Sequence, residues 1–474
     1  MKIFRLYLTV LFLTIFLSIS TNIRADDARN INFLIITDFH LDSDQVEKAM
    51  EIAPSERHGE RPKRTNDLDV KTLRKMLGVI RDDIKSSKLI KDPEFILILG
   101  DLPGHDRRTE EGIIDDIETA YRLLYDAFPN IPMFYVFGNH DSIRMRDGRF
   151  HDPNVQGGIN SSFEISGQLK TGWRNGFLST GKYCNAKKTV YPCLLHDSVN
   201  FMHGYYAAYV HPGVRLIALN NVMYLQHSKS KDPLSKHVLD QQIEWFESQL
   251  EDARKKKESV IVAAHVPLGY GTHGVLGDRY EFLKPEYRDK ISRLLVDYEK
   301  EIATILVAHT HKDEIEVILN KANKEIVGDI VVLNPGMSTS HGNSPGIRQL
   351  YLSKKNNNWL LVDYETLRFN MPSENGVLSL EYLYNFRSRF CGDKQVNNLT
   401  DCIDIETLTS KVQEIYKVGN PNIELQITDP GGLIIEVEDV GSFMPGNVFN
   451  DVNLPGAERL FRRQINRLLW ASKA

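Results

Sequence analysis

The sequence predicts a layered α/β domain in which a β-rich sandwich is flanked by helices. Short apolar runs of strand length recur along the chain, and amphipathic stretches of helical length lie between them. In the stretch 240–256, apolar residues recur every three or four positions, as on the packing face of a helix. Helical connections between buried strands are typical of layered α/β domains, which carry ligands on loops at one edge.

The predicted elements can be read off the apolar pattern. Amphipathic helices are expected at 67–86, 110–127 and 240–256. Strands are expected at 31–37, 95–99, 133–137, 214–219, 260–264, 302–308, 326–333, 349–352 and 359–366.

Polar residues with metal-binding side chains stand directly after five of these strands. They are Asp38 and His40, Asp101, Asn139, His265, and the pair His309 and His311. Most of these motifs alone are more simply explained as a turn, a cap or a hydrogen-bonded polar residue, but the motif Gly-Asn-His-Asp that contains Asn139 favours ligation by itself. Their common placement at strand ends favours metal ligation instead, because together they supply enough oxygen and nitrogen ligands for two ions.

The spacing within the motifs supports this interpretation. Asp38 and His40 are separated by one residue, so on an extended chain both side chains lean to the same side, and His309 and His311 repeat that spacing. The two oxygens of the Asp101 carboxylate can bridge two cations about 3.5–4 Å apart. A paired-metal site of this kind indicates hydrolysis of a phosphate ester.

In these motifs the sequence resembles the calcineurin-like metallophosphoesterases, over roughly residues 32–363. The resemblance implies a β-sandwich of two mixed sheets flanked by helices and two divalent metal ions. It assigns to one ion the residues Asp38, His40, Asp101 and His311. It assigns to the other ion the residues Asp101, Asn139, His265 and His309.

A closer resemblance is to the acid sphingomyelinase-like phosphodiesterases. It rests on the segment Gly-Asp-Leu-Pro-Gly-His that ends at His105, and on segments 264–269 and 309–314. Purple acid phosphatases are excluded, because they need a tyrosine ligand where Gly104 stands. The resemblance implies a secreted phosphodiesterase in which a hydroxide shared by the two ions attacks phosphorus.

An alkoxide leaving group needs a proton as it departs, and two histidines are candidates to donate it. His140 follows the predicted ligand Asn139, and Asp141 beside it is expected to orient the ring. By resemblance, His105 also faces the scissile phosphate. The sequence does not decide between the two donors, and it does not fix the metal. Zinc is expected, with manganese and iron as alternatives.

The first residues predict an exported protein. Residues 1–25 have the basic start, short apolar core and small residues of a signal peptide, and no later stretch is long enough to span a membrane. Their removal takes away three basic residues and no acidic one, which leaves 55 basic and 63 acidic side chains, a net charge of −8. Such a chain is not expected to bind nucleic acid or anionic membranes through bulk charge. It is expected to be secreted, or lysosomal or periplasmic according to the host.

Two cysteine pairs and two sequons fit an exported protein. The four cysteines allow three pairings, of which we favour the two local ones, Cys184–Cys193 and Cys391–Cys402. The sequons at Asn160 and Asn398 fit surface glycans in a eukaryotic host.

We expect a catalytic domain at 26–367 and a small, mostly helical region at 368–474, whose aromatic residues 382–390 belong to a core. The charged segment 44–66 is expected to be a loop, and the long segment 141–200 a functional insertion near the metals. The lipid-cleaving relatives carry a saposin domain before the catalytic domain. We expect this helper to be absent here, which favours a small soluble phosphodiester or nucleotide over packed lipid. Sphingomyelin, a cyclic nucleotide or a phosphomonoester remains an alternative substrate, and a non-catalytic scaffold is the least favoured reading.

Overall fold

The computed structural model defines the fold around the predicted strands. It describes residues 30–44, 67–105, 109–142, 183–185, 189–200, 203–228, 234–273, 278–323, 325–339, 344–370, 377–392, 394, 396–404 and 434–437. The predicted signal peptide, the loop 45–66 and the sequon at Asn160 lie outside these residues, as does most of the predicted insertion.

One sheet has six strands in the order β15-β14-β13-β1-β2-β3. Strands β1, β2 and β3 are parallel, and β13, β14 and β15 extend the sheet in antiparallel fashion from β1. Their bounds are Ile31–Ile36 (β1), Phe95–Ile98 (β2), Met133–Tyr135 (β3), Gly346–Lys355 (β13), Asn358–Asn370 (β14) and Ser379–Asn385 (β15).

The second sheet has eight strands in the order β16-β11-β12-β10-β7-β6-β5-β4. Its centre, from β12 to β6, is parallel. Three pairs at its edges are antiparallel: β11 with β12, β5 with β6, and β4 with β5. The bounds are Cys193–Asn200 (β4), Tyr205–His211 (β5), Val214–Ala218 (β6), Ser259–Ala263 (β7), Ile302–Val307 (β10), Glu314–Asn320 (β11), Val331–Leu333 (β12) and Ile434–Val437 (β16). A separate hairpin is formed by Tyr270–His273 (β8) and Asp278–Glu281 (β9).

Four helices connect these strands, at Val70–Ser86 (α1), Glu110–Ala127 (α2), Lys236–Lys256 (α3) and Pro285–Asp297 (α4). The first three confirm the sequence prediction, and each begins at a polar cap: Asp69, Thr109 or Ser235 accepts a hydrogen bond from the first turn. Buried apolar residues of both sheets and all four helices form one continuous core. The predicted two-sheet sandwich with outer helices is therefore confirmed. Among the described residues, no helix combines the length and apolarity that a bilayer span requires.

The region after residue 367 differs from the mostly helical prediction in its described part. Strand β14 runs through the expected boundary to Asn370, and β15 pairs with it, so this part completes the six-stranded sheet. Only two short helical turns follow, at Arg387–Cys391 and Leu399–Cys402. Of the aromatic residues expected to belong to a core, Tyr384, Phe386 and Phe390 are buried beside the sheet, as a strand and the turn after it require. Tyr382 is 49% exposed, so for this residue the expectation is wrong. Residues 405–433 and 438–474 lie outside the description.

Both favoured disulfides are present, Cys184–Cys193 and Cys391–Cys402. The second encloses Asn398, whose side chain caps the turn Leu399–Cys402 and donates to Asp329. The amide nitrogen that a glycan would use is thus hydrogen bonded within the fold.

Candidate functional site

The predicted ligands converge because the parallel strands of both sheets end at the same place. Strands β1, β2 and β3 deliver four of the seven residues, and β7 and β10 deliver the other three. Five of them have left-handed backbone conformations, which residues other than glycine rarely adopt. They are Asp38, His40, Asp101, His309 and His311, with φ between 45° and 71°. Such conformations cost on the order of 1 kcal/mol or more each and cluster at functional sites.

Backbone hydrogen bonds hold the first two of these residues in place. The Asp38 nitrogen donates to the Gly100 carbonyl at 3.0 Å, and the His40 nitrogen donates to the Asp101 carbonyl at 3.1 Å. The Asp38 carbonyl in turn accepts from the Ser338 nitrogen at 3.0 Å. The loops that carry Asp38, His40 and Asp101 are therefore fastened to one another independently of any ion.

Four side chains surround one candidate cation position. The Nε2 atoms of His40 and His311 lie 3.0 Å apart, and Asp38 Oδ1 lies 3.4 Å from His311 Nε2. Asp101 Oδ2 is 3.5 Å from His40 Nε2. All four side chains are almost completely buried. Nitrogen and carboxylate oxygen atoms that face one another at these distances fit a shared cation.

A second candidate position adjoins the first through Asp101. Its Oδ2 atom is also 3.3 Å from His265 Nε2, and His309 Nδ1 lies 3.3 Å from the same nitrogen. The structure thus brings Asp101, His265 and His309 into a second cluster of metal-binding atoms. One carboxylate between two histidine clusters is the arrangement expected of a bridging ligand.

The remaining ring nitrogens of three histidines are fixed by neighbours. His265 Nδ1 donates to the Leu99 carbonyl at 2.6 Å, and His40 Nδ1 donates to the Pro103 carbonyl at 3.2 Å. His311 Nδ1 lies 3.2 Å from Ser338 Oγ. Hydrogen bonds of this kind orient a histidine so that its other nitrogen faces a metal.

Two of the predicted ligands have buried polar atoms that make no hydrogen bond, as the ligands of a metal ion would if the ion were removed. Both carboxylate oxygens of Asp38 and both side-chain polar atoms of Asn139 are buried without a hydrogen bond. Each such atom costs about 1–3 kcal/mol if it stays unsatisfied. Burial, ahead of the nearby charges, raises the pKa of Asp38 to about 8. Cations would satisfy these oxygens and favour the ionised carboxylate, so the residues fit a two-metal site.

The charges of Asp101 and His265 support each other. Burial alone would raise the pKa of Asp101, but attraction to His265 and His140 holds it well below its usual range. Burial opposes the charge on His265, yet its pKa is raised to about 9 by the Asp101 carboxylate. Asp101 is therefore ionised, as a bridging ligand must be.

Two glycines allow the loops to approach. A Cβ atom on Gly138 would lie 2.2 Å from Asp101 Oδ1. A Cβ atom on Gly336 would lie 3.0 Å from both Asp38 Cβ and His311 Cγ. Gly336, in the segment Asn334-Pro335-Gly336, therefore packs against the ligand residues Asp38 and His311.

Both candidate proton donors lie beside these clusters. The His105 ring stacks on the His40 ring with centroids 3.6 Å apart, and the His140 ring meets both rings edge-on at 4.8 Å and 5.0 Å. The side chain of His105 is 16% exposed, whereas His140 is 5% exposed. The His140 backbone nitrogen donates to Asp101 Oδ1 at 2.8 Å.

The carboxylate of Asp141 is hydrogen bonded to the backbone of two ligand loops. Its carboxylate accepts hydrogen bonds from the backbone nitrogens of Asp101 (2.9 Å), Leu102 (2.9 Å) and Gly138 (2.5 Å). These bonds tie the loop after β2 to the loop after β3, because both loops turn their N–H groups toward one buried side chain. Asp141 therefore supports the backbone of two ligand loops, and its orientation of the His140 ring stays a prediction.

Sequence reasoning missed three supporting carboxylates. Asp67 contacts His105, and Glu316 accepts from the backbone nitrogens of Leu268 and Gly269 in the loop after His265. Asp313 forms a buried ion pair with Arg348. Asp313 and Glu316 lie within or just beyond the segment His309–Glu314, so their position was a usable signal. Asp67 follows a charged segment, and nothing in that context marked it.

The ion pair of Asp313 connects the two sheets. Arg348 on β13 also donates to the Leu333 carbonyl at 2.7 Å, and Tyr384 on β15 donates to both Asp313 oxygens at 2.8 Å. Arg348 and Asp313 are completely or almost completely buried. This network holds the segment that follows His311 against the opposite sheet.

Comparison with known proteins gives a family and several relatives. The chain is 25% identical over 318 residues to cyclic GMP-AMP phosphodiesterase SMPDL3A of Homo sapiens, covering 64% of this chain and 62% of that protein. It is 23% identical over 311 residues to sphingomyelin phosphodiesterase of Homo sapiens, covering 63% of this chain and 43% of that protein. The chain thus spans less than two thirds of the length of either relative.

A solved structure and a family profile complete the comparison. A dimetal phosphatase from Danio rerio aligns with 74% of this chain and 98% of its own length, at 14% identity and a TM-score of 0.39. The profile of the calcineurin-like phosphoesterases matches residues 31–313, which contain all seven predicted ligands. The chain belongs to the calcineurin-like phosphoesterase family.

Proposed function

We propose that the protein is a metal-dependent phosphodiesterase that hydrolyses small phosphodiesters or phosphoanhydrides. One observation carries the proposal: Asp101 Oδ2 lies within 3.5 Å of the Nε2 atoms of His40 and His265, which belong to separate ligand clusters. A carboxylate in that position can bridge two adjacent cations. Two adjacent cations commonly catalyse the displacement of a leaving group at phosphorus.

Two divalent ions fit the site, and we assign their ligands as follows. Asp38, His40, Asp101 and His311 would hold one ion, and Asp101, Asn139, His265 and His309 would hold the other. When bound, such ions lower the pKa of a shared water and neutralise charge on the phosphoryl oxygens. The nitrogen-rich set favours zinc, and manganese or iron(II) would accept the same ligands.

The chain's own residues supply the proton for the leaving group. His105 and His140 lie next to the first ligand cluster, each within 5.0 Å of the His40 ring centroid. As an alkoxide departs from phosphorus, the bonding electron pair moves to its oxygen, which takes a proton from one of these rings. General acid catalysis of this kind contributes about 10²–10⁴ in rate.

The substrate class follows from charge and from the relatives. The full chain has a formal net charge of −5, so bulk attraction does not draw it to polyanions. Two relatives are named for a cyclic dinucleotide and for sphingomyelin, both phosphodiesters. We therefore favour small phosphodiesters, with lipid head groups as the second candidate, and an exported location consistent with the two disulfides.

A substrate panel tests the proposal on metal-analysed protein. Bis(4-nitrophenyl) phosphate, 4-nitrophenyl phosphate, ATP, cyclic AMP and detergent-dispersed sphingomyelin should be compared at acid and neutral pH. We expect a diester or ATP to be preferred, and His265→Ala to abolish turnover while His237→Ala, on the surface of α3, leaves it unchanged. Equal turnover by the His265→Ala variant would refute the site, and preference for the monoester would refute the phosphodiesterase assignment.

A further inference from the structure

We propose that Asp67 is a positioning residue that holds His105 as the proton donor to the leaving group. The inference rests on the proposed phosphodiesterase function and adds a residue to it. Asp67 is not one of the predicted ligands and does not belong to any motif of the sequence. Its carboxylate makes two contacts with His105, and the proposal rests on their geometry.

The two contacts fix both the backbone and the ring of His105. Asp67 Oδ1 lies 2.6 Å from His105 Nδ1, and Asp67 Oδ2 accepts from the His105 backbone nitrogen at 2.7 Å. A carboxylate accepts hydrogen bonds and does not donate them when ionised, so Nδ1 carries the proton toward Asp67. The ring is then restrained about both side-chain torsions, and Nε2 is directed away from Asp67.

The His105 ring lies against the first ligand cluster. The ring stacks on the His40 ring at 3.6 Å between centroids, and its centroid lies 6.0 Å from that of His311. His105 keeps 16% of its side chain exposed, while the side chain of Asp67 is only 5% exposed. The carboxylate of Asp67 is therefore more deeply buried than the ring that it contacts.

Gly104 makes room for this carboxylate. A Cβ atom at residue 104 would lie 2.9 Å from Asp67 Oδ2 and 3.1 Å from the Leu41 carbonyl. The same loop is also held from another direction, because Asp116 accepts from the backbone nitrogens of Gly104 (3.4 Å) and Ser43 (2.8 Å). Asp116 thus supports the loop through its backbone. Asp67 contacts both the backbone and the imidazole of His105.

The proton transfer balances without a further reactant. A water oxygen forms the new bond to phosphorus, and the bond from phosphorus to the leaving oxygen breaks with its electron pair on that oxygen. His105 Nε2 gives its proton to the leaving oxygen, the attacking water releases a proton to solvent, and a proton from solvent then restores the one that His105 gave. Asp67 keeps the ring in the orientation that this transfer needs.

Leaving-group dependence separates a positioning role from a structural one. A 4-nitrophenolate leaves as a stable anion, whereas a ribose alkoxide requires a proton. The Asp67→Ala variant, loaded with metal, should be assayed on methyl 4-nitrophenyl phosphate and on a dinucleoside monophosphate. We expect kcat on the dinucleoside to fall about 100-fold and kcat on the nitrophenyl ester to fall less than about threefold. Asp67→Asn should retain part of the activity, because its amide oxygen can still accept one of the two bonds.

Three comparisons complete the experiment. Asp67→Ala in a His105→Ala background should have no additional effect on the dinucleoside. Asp116→Asn should slow both substrates equally if it slows either. The low-field proton resonance of a short imidazole hydrogen bond should be present in the parent and absent from Asp67→Ala and His105→Ala, with metal content unchanged.

Each contrary result has a distinct meaning. Equal losses on both substrates, or additive losses in the double variant, would overturn the role of Asp67. A parent protein that loads metal but cleaves neither diester would overturn the proposed function, which is a separate failure.

Discussion

The Nε2 atoms of His40 and His311 face each other at 3.0 Å, although the residues follow strands of different sheets. His40 comes after β1 of the six-stranded sheet, and His311 comes after β10 of the eight-stranded sheet. Two imidazoles from opposite sheets that meet in this way would be joined by a cation, so metal binding would also fasten the two sheets at one edge.

Metal removal should therefore lower stability as well as activity. A cation that binds only the folded protein stabilises it by about 4 kcal/mol at a thousandfold excess over its Kd. We expect chelator treatment to lower the thermal midpoint by several degrees and added zinc to restore it. A melting temperature that does not respond to the chelator, in protein from which metal analysis shows full removal, would contradict this.

Asn139→Ala should remove one cation and leave the other. Its side chain is buried and unpartnered, and it follows β3, which pairs with the strand that precedes Asp101. We expect about one metal per chain and a loss of kcat greater than about 100-fold. Metal analysis beside steady-state kinetics checks this, and two retained metals with full turnover would remove Asn139 from the ligand set.

Gly336→Ala should damage the site without unfolding the protein. Its new Cβ atom would lie 3.0 Å from Asp38 Cβ and His311 Cγ, so both side chains must move. We expect metal affinity to fall about 10–100-fold, measured by competition with a zinc chelator. Gly78→Ala is the matched control, because its Cβ would meet its nearest atom at 3.9 Å within α1 and should stabilise the helix by about 0.5–1 kcal/mol. An unchanged metal affinity in Gly336→Ala would show that the approach of Gly336 to Asp38 and His311 does not control metal binding.

Glu316 should make stability depend on pH. Burial raises its pKa from 4.5 to about 8 in the folded protein, so the folded state binds its proton more tightly than the unfolded chain. The stabilisation from this group is complete below pH 4.5 and is lost as pH rises toward 8, by roughly 1.4 kcal/mol per pH unit at most.

A neutral replacement isolates this effect. The difference in unfolding free energy between the parent and Glu316→Gln should shift in favour of the variant between pH 5 and pH 8. Glu251→Gln, on the exposed face of α3 beside Lys255, should show no comparable trend. Parallel pH profiles for the parent and Glu316→Gln would contradict this prediction, because they would mean that folding does not raise the pKa of Glu316.

The sequence predicted those parts of the fold that follow from local patterns. Strands β1, β2, β7 and β10 are uninterrupted apolar runs, so their bounds and the ligands after them could be placed. Strands β4, β5, β8, β9, β11, β15 and β16 were missed, because pairing with other strands decides their structure and their local periodicity does not.

The supporting residues of the site were harder to predict for the same reason. Asp141 stands beside His140 in sequence, which suggested contact with that ring, but its carboxylate meets the loop after β2, about 40 residues away along the chain. Asp67 and His105 are separated by 38 residues, and their contact exists only after α1 has packed beside the site. Burial and hydrogen bonding in the folded state, which a sequence pattern does not contain, determine both roles.

The central claim is that two cations act together, and stepwise metal loading tests it most directly. Metal-stripped protein should be titrated with zinc while hydrolysis of bis(4-nitrophenyl) phosphate and bound metal per chain are followed together. We expect little turnover up to one zinc per chain and a steep rise as the second zinc binds. Full turnover at one zinc per chain, with no gain from the second, would contradict it.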